Sequence, residues 1–291
     1  MTGEESKWLD CATHMAAAGK QAAEELNGTV PGKVVLGRGA GGDRTLEVDR
    51  ACEVAILEVL QHEAPFSYSV VSEESGVFGA EDARWRVVVD PLDGSLNAKR
   101  GLEPFAVSIA VADGDTLGDV RVAYIEDYTR PRVFSAVKGA GVLSPAAGPV
   151  LFTGCNYESD LVEIMLFEAG RPDRHHFPYH DLSTMGAVGC SRDMRVRQIG
   201  SLALSLCYVA TGKADMLVAA VRSRSVDVAA GLLILAEAGG GAATLTGDDI
   251  WRQPLDLEKR SPFVAWRAGL DEDEIFSRSR QLRESLLGHA Q

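Results

Sequence analysis

Asp90 and Asp93 stand three positions apart in the stretch Val87-Val-Val-Asp-Pro-Leu-Asp-Gly-Ser-Leu-Asn97. An apolar strand is expected to deliver Asp90 at its end, with Pro91 setting a turn and Asp93 returning to the same side. Together with the Leu92 carbonyl, two such carboxylates make a hard oxygen cage of the kind that suits Mg²⁺. Gly94 lets the backbone approach a ligand, and the N–H groups of Gly94 and Ser95 suit a phosphate oxygen. All these residue types are also turn formers, so on this stretch alone a plain turn is the competing reading. Two further acidic features bear on it. Glu73-Glu74 ends a second apolar run, Tyr68 to Val71, and Asp227 opens a helix behind Arg222-Ser-Arg-Ser-Val226. Taken singly, an acidic pair is a solvated loop and an N-cap aspartate is a cap.

The elements that must position these acids follow from periodicity. Trp8, Ala12, Met15, Ala16, Ala22, Ala23 and Leu26 fall on one helical stripe, closed by Asn27-Gly28. A loop rich in glycine and charge, Gly37 to Arg44, is expected to be mobile. A second helix carries Val48, Cys52, Ala55, Ile56 and Val59. Short buried strands are expected at Tyr68 to Val71 and Val87 to Val89, and consecutive strands of one sheet at Phe105 to Ala112, Val120 to Ile125 and Arg132 to Val137. The stretch Gly170 to Arg197 reads as irregular. Gly200 to Val209 resumes a helical pattern, and Asp227 caps a helix that Gly239-Gly-Gly241 stops. A composition shift at Pro145 to Pro149 divides the chain into an N-terminal half, 1–148, carrying the acids, and a C-terminal half, 149–291. Helices and strands without strict alternation predict layered α/β structure.

Composition removes some partners. The 291 residues include 42 acidic and 29 basic ones, a net charge of −13, which repels nucleic acid and anionic membranes. A small anionic substrate then needs metal ions or local arginines. No apolar run reaches the length of a membrane span. The charged start Met1 to Lys7 does not read as a signal peptide, and five cysteines without a Cys-x-x-Cys pair suit a reducing compartment, so the cytoplasm is expected. His175, His176 and His180 stand in a polar stretch without matching carboxylates and read as surface residues rather than zinc ligands.

In order and context, Ser72-Glu73-Glu74-Ser75, Asp90 to Ser95 and Val226-Asp-Val-Ala-Ala-Gly231 resemble the motifs of the inositol monophosphatase superfamily of metal-dependent, lithium-sensitive phosphatases. Gly200 to Asp215 resembles the segment before its last motif, and the likeness runs from the first helix to Trp266. The resemblance implies an α-β-α-β-α sandwich. It implies one Mg²⁺ held by Glu73, Asp90 and the Leu92 carbonyl, and a second held by Asp90, Asp93 and Asp227. A third, weaker ion would involve Asp43 and Asp49, although Asp49 reads equally as a first-turn acid facing the helix dipole. Glu73 with the Ser95 hydroxyl would orient and deprotonate water. Asp93, Gly94 and Ser95 would meet the phosphate, and Gly200 and Ser201 the substrate. Homodimers are common in the superfamily.

The chain departs from that pattern twice. Val226 replaces a tryptophan, a change of packing rather than of chemistry. Ala220 stands where inositol-specific members place a glutamate, while Arg222 and Arg224 add a basic pair near the mouth. This looks more like the branch with combined fructose-1,6-bisphosphatase and inositol monophosphatase activity. An extended segment would turn both arginines to one side, toward a second anionic group on the substrate; the alternative is a pair of solvated rim charges. The expected function is hydrolysis of a small sugar or polyol phosphate. The other readings are histidinol phosphate or a nucleoside 3′,5′-bisphosphate as substrate, and a catalytically silent regulatory protein on the same fold.

Overall fold

The computed structural model describes residues 1–26, 31–42, 44–143, 162–168, 194–245 and 248–279. Helices α1 (Gly3–Leu26) and α2 (Glu47–Glu63) pack side by side along their apolar stripes. Trp8, Ala12, Met15, Ala16 and Ala23 are buried, as the 3.6-residue period predicts. Between the helices, where glycine and charge suggested an unrestrained loop, β1 (Val35–Arg38) and β2 (Arg44–Leu46) form a small antiparallel hairpin.

Both helices cover one face of a seven-stranded sheet in the order β4-β3-β5-β6-β7-β8-β9. Its strands are β3 (Tyr68–Ser72), β4 (Gly76–Gly79), β5 (Trp85–Asp93), β6 (Ala106–Ala112), β7 (Val120–Asp127), β8 (Arg132–Val137) and β9 (Gly141–Leu143). Only β3 and β5 run parallel within it. Val87 and Val89 pack toward α1 and α2, while Val88 faces the opposite core. A strand buried on both faces explains an unbroken apolar run in place of alternation.

The second face is covered by α4 (Leu202–Ala210) and α5 (Ser225–Glu237). Beyond these helices lies a five-stranded sheet in the order β11-β10-β12-β14-β13. It comprises β10 (Ile164–Glu168), β11 (Arg195–Arg197), β12 (Met216–Ser223), β13 (Gly241–Thr244) and β14 (Ser261–Trp266). Leu270 and Ile275, the latter on a helical segment over 272–279, close its outer face. The layers are therefore α-β-α-β-α, the expected sandwich. The expected division near 148 falls among residues outside those described, and one core joins Val88 and Ala110 to Leu204, Leu217 and Leu232 across it. No described helix is long and apolar enough to cross a membrane.

Local structure differs from expectation at the acids. Asp90 to Asp93 does not form a turn: β5 continues through it, with Asp90 opposite Ser108 and Asp93 opposite Ala106. Three steps on one strand match two on the other, which is a bulge, and a bulge re-aims side chains without ending the strand. Directly after it, Gly94 (φ 89°) caps a short helix the sequence reading omitted, α3 (Ser95–Arg100). A left-handed φ of this kind suits glycine. Asp227 is not the N-cap of α5 but its third residue, with Arg224 at the cap.

Packing between α4 and α5 turns on Gly231. A Cβ there would sit 2.8 Å from Leu206 Cβ and 2.6 Å from its Cδ1. Gly231→Ala is expected to lower stability by about 1–3 kcal/mol through overpacking, despite the roughly 1 kcal/mol that alanine gains in a helix interior. Urea unfolding checks it, and an equally stable variant would show that the two helices separate without cost.

Candidate functional site

Parallel pairing of β3 and β5 builds the site. Ser72 is in register with Val89, so the next residues, Glu73 just past the end of β3 and Asp90 at the bulge of β5, stand side by side, and the Glu73 N–H donates to the Val89 carbonyl at 3.2 Å. Neighbouring strands lie about 4.8 Å apart, within reach of two carboxylates. From the opposite layer, the first turn of α5 supplies Asp227. One carboxylate oxygen from each of Glu73, Asp90 and Asp227 lies within 4.8 Å of the others.

Burial governs the charge of this cluster. Asp90 is 2% exposed, and its carboxyl is pushed well above the usual carboxylate range, first by desolvation and then by Glu73, Asp93 and Asp227. Glu73 is also raised by desolvation, against which the Arg224 guanidinium acts. Three hard oxygen donors from three elements, held close in a setting that disfavours their charge, fit a divalent cation.

Arg224 corrects an expectation. It is not a rim residue turned toward a second anionic group, because β12 ends at Ser223 and Arg224 begins the next helix, with 7% of its surface exposed. Its Nη2 lies 2.6 Å from Glu73 Oε1 and 2.9 Å from Asp227 Oδ1, and its Nε donates to Asp227 Oδ2 at 3.2 Å. Its backbone N–H donates to Asp227 Oδ2 at 2.7 Å. The buried acids hold the guanidinium firmly protonated. Arg222 lies on β12, with its side chain outside the described structure.

The remaining expected residues divide. Asp93 stands beside the cluster, but both its oxygens accept hydrogen bonds from the start of α4: Ser201 Oγ, Leu202 N at 3.2 Å and Ala203 N at 2.9 Å. Asp93 therefore caps a helix in addition to facing the site, and burial raises its pKa to about 7 against these bonds. It also draws Ser201 and Gly200 in, the Gly200 carbonyl lying 3.1 Å from where a Gly94 Cβ would stand. Leu92 meets Asp90 through its amide, donating to Oδ1 at 3.0 Å. Ser95 is half-buried at the first position of α3. Asp49 is the third residue of α2 and accepts from Leu46 N at 2.7 Å, outside the three-acid cluster. Desolvation lifts its pKa to about 7. Asp43 and the three histidines lie outside the described residues.

Two acids that sequence reasoning missed hold the site from behind. Glu53 of α2 accepts from Ser72 Oγ, Ser75 N (3.0 Å) and Ser75 Oγ (2.6 Å), gripping both flanks of Glu73-Glu74. Its signal was a charge on the buried stripe of Cys52, Ile56 and Leu60. Glu168 ends β10 and accepts from Ile199 N, Gly200 N and Ser205 Oγ, fixing the start of α4. Its signal was the one shown by Glu73 and Asp90, an acid ending an apolar run. Glu53→Ala is expected to cost about 1–3 kcal/mol, the penalty for leaving a buried donor, the Ser72 hydroxyl, unpaired, and to weaken divalent-cation binding. Denaturant unfolding and calorimetric cation titration check the two effects, and unchanged cation binding would reduce Glu53 to a structural role.

The profile of the inositol monophosphatase family matches residues 5–285. A fructose-1,6-bisphosphatase/inositol-1-monophosphatase of Archaeoglobus fulgidus is 32% identical over 235 residues, 79% of this chain and 82% of that protein. A Nus factor SuhB of Pasteurella multocida is 32% identical over 216 residues, 70% of this chain and 73% of that one. Among solved structures, a Thermotoga maritima inositol monophosphatase superposes with a TM-score of 0.72 at 23% identity, covering 95% of this chain and 98% of its own. With a profile that spans nearly the whole sequence, the chain belongs to the inositol monophosphatase family.

Proposed function

We propose that the protein is a Mg²⁺-dependent phosphatase that hydrolyses a phosphate monoester of a small sugar or polyol. The observation that carries this reading is the convergence of Glu73, Asp90 and Asp227 within 4.8 Å at one sheet end. The family is metal-dependent. Glu73, Asp90 and Asp227 would hold the first ion, with Asp93 beside a second. Bound there, divalent cations supply charge neutralisation for an in-line displacement and a more acidic water.

The residues themselves do the remainder. Glu73 accepts a proton from the attacking water, with the Ser95 hydroxyl orienting it. The amides of Gly94 and Ser95 and the start of α4 at Gly200-Ser201 border the place for the phosphate. Positioning and electrostatics dominate phosphoryl transfer, so no nucleophilic side chain is needed. Ala220 at 7% exposure offers no acid for ring hydroxyls. Together with the likeness to the Archaeoglobus fulgidus protein, this favours a fructose 1,6-bisphosphate type of substrate over an inositol-specific one. The SuhB-named relatives favour a regulatory role as the second reading.

Phosphate release from fructose 1,6-bisphosphate and inositol 1-phosphate, with Mg²⁺ and with chelator, tests the first reading. Asp90→Asn and Glu73→Gln are each expected to lower turnover by about 100-fold or more, the scale of a lost electrostatic contact to the transition state. Turnover undiminished by chelator would overturn the metal assignment, and no turnover on either substrate would favour the regulatory one. With Arg224 engaged by the acids, Arg222 is the residue proposed to meet a second phosphate. Arg222→Ala should raise KM for a bisphosphate by about ten-fold and leave a monophosphate of the same sugar nearly unchanged; equal losses on both would place Arg222 outside substrate recognition.

A further inference from the structure

Arg224 binds three partners that belong to different parts of the site. Nη2 bridges Glu73 Oε1 (2.6 Å) and Asp227 Oδ1 (2.9 Å), and Nη1 donates to the Gly41 carbonyl at 3.3 Å. Gly41 belongs to the glycine-rich turn between β1 and β2, and that turn is stitched to the same acidic segment. Gly41 N donates to the Glu73 carbonyl at 2.7 Å and Ala40 N to the Glu74 carbonyl at 3.0 Å. Gly41 lies close under both: a Cβ there would press on Arg224 Nη1 and lie 3.2 Å from Glu73 Cγ.

We propose that the Arg224 guanidinium and a divalent cation compete for the carboxylates of Glu73 and Asp227, so that cation binding withdraws Arg224 and loosens the Gly39–Gly42 turn. The inference rests on reading the carboxylate cluster as a cation site. Its physical basis is the sharing of carboxylate groups. A small divalent ion needs close oxygen contacts at about 2.1 Å in near-octahedral arrangement, and two of the three carboxylates that converge to offer them are the ones Arg224 already bridges. A guanidinium and a divalent ion on the same two carboxylates also repel each other at short range, strongly where water is scarce. Arg224 thus sets cation affinity from within the site, balancing buried negative charge at the cost of opposing the ion. The turn follows because one side chain serves both sets of contacts. Arg260 also donates to the Gly41 carbonyl, so that carbonyl loses one of two arginine donors, and the turn keeps its backbone bonds to Glu73 and Glu74.

The backbone makes the side chain separable in a test. Asp227 Oδ2 accepts from the Arg224 N–H at 2.7 Å, a bond that any residue except proline retains, so Arg224→Gln leaves Asp227 anchored. Calorimetric titration of the full chain with Mg²⁺, and with Mn²⁺ as a second probe, compares the unaltered protein with Arg224→Gln and Arg224→Lys. Arg224→Gln is expected to bind the first ion about ten-fold more tightly, a common size for coupling between sites. Arg224→Lys keeps the charge but cannot bridge both acids with a planar fork, and should fall between. Hydrogen exchange at the Ala40 and Gly41 amides should rise when ion is added to the unaltered protein, and should already be high in Arg224→Gln without ion. Equal or weaker binding by a folded Arg224→Gln, or Arg224→Lys if Gln does not fold, would overturn the competition while leaving the cation site standing. Exchange unaffected by ion would overturn the link to the turn. Failure of the unaltered protein to bind either ion would overturn both the competition and the site on which it rests.

Discussion

Confining several carboxylates at a dry sheet end is the constraint around which this molecule is arranged. Burial opposes the charge of Asp90 and Glu73, and each negative neighbour adds to that opposition. A fold tolerates such a cluster only if positive charge and rigid support reach it from elsewhere. Arg224 brings the charge from the layer of α4 and α5, and parallel pairing of β3 with β5 brings the support.

Support for the site comes from a ring of acids that do not belong to the cluster. Glu53, Asp93 and Glu168 each accept hydrogen bonds from backbone amides and hydroxyls, and each ties a chain segment to a different element. A carboxylate with several donors is a strong anchor, because bonds to charged groups are worth more than neutral ones. Asp93 shows how closely support and chemistry are joined. While capping α4 it also fixes Gly200 and Ser201 beside Gly94, so the expected phosphate and substrate residues meet through a helix cap.

Two halves of the chain meet at this point and neither builds it alone. Glu73, Asp90 and Asp93 come from the seven-stranded sheet, whereas Asp227, Arg224 and Ser201 come from the helices between the sheets. Those helices share one core with both sheets. Small residues such as Gly231 let α4 and α5 cross closely, and that closeness carries the start of α5 to the acids. Packing far from the site therefore sets distances within it.

Sequence alone determined the main helices and strands and the acids that close apolar runs, because both are written in local pattern. The helical stripe through Trp8 and Met15, the strands β6 to β8, and the acids closing apolar runs follow from periodicity and residue type, which neighbours along the chain decide. Side-chain aim and pairing were not legible. Arg224 read either as facing the substrate or as a solvated rim charge, because alternation assumed a strand that in fact stops one residue earlier. Asp90 to Asp93 read as a turn because proline and glycine suggest one, while pairing with Ser108 and Ala106 holds the segment in a bulged strand. Glu53 and Glu168 carried a readable signal, charge within an apolar pattern, but their partners are distant in sequence. Which buried charge meets which donor is settled by contacts between layers, and only the tertiary structure decides those, since burial makes an unpaired charge too costly to leave where local pattern alone would put it.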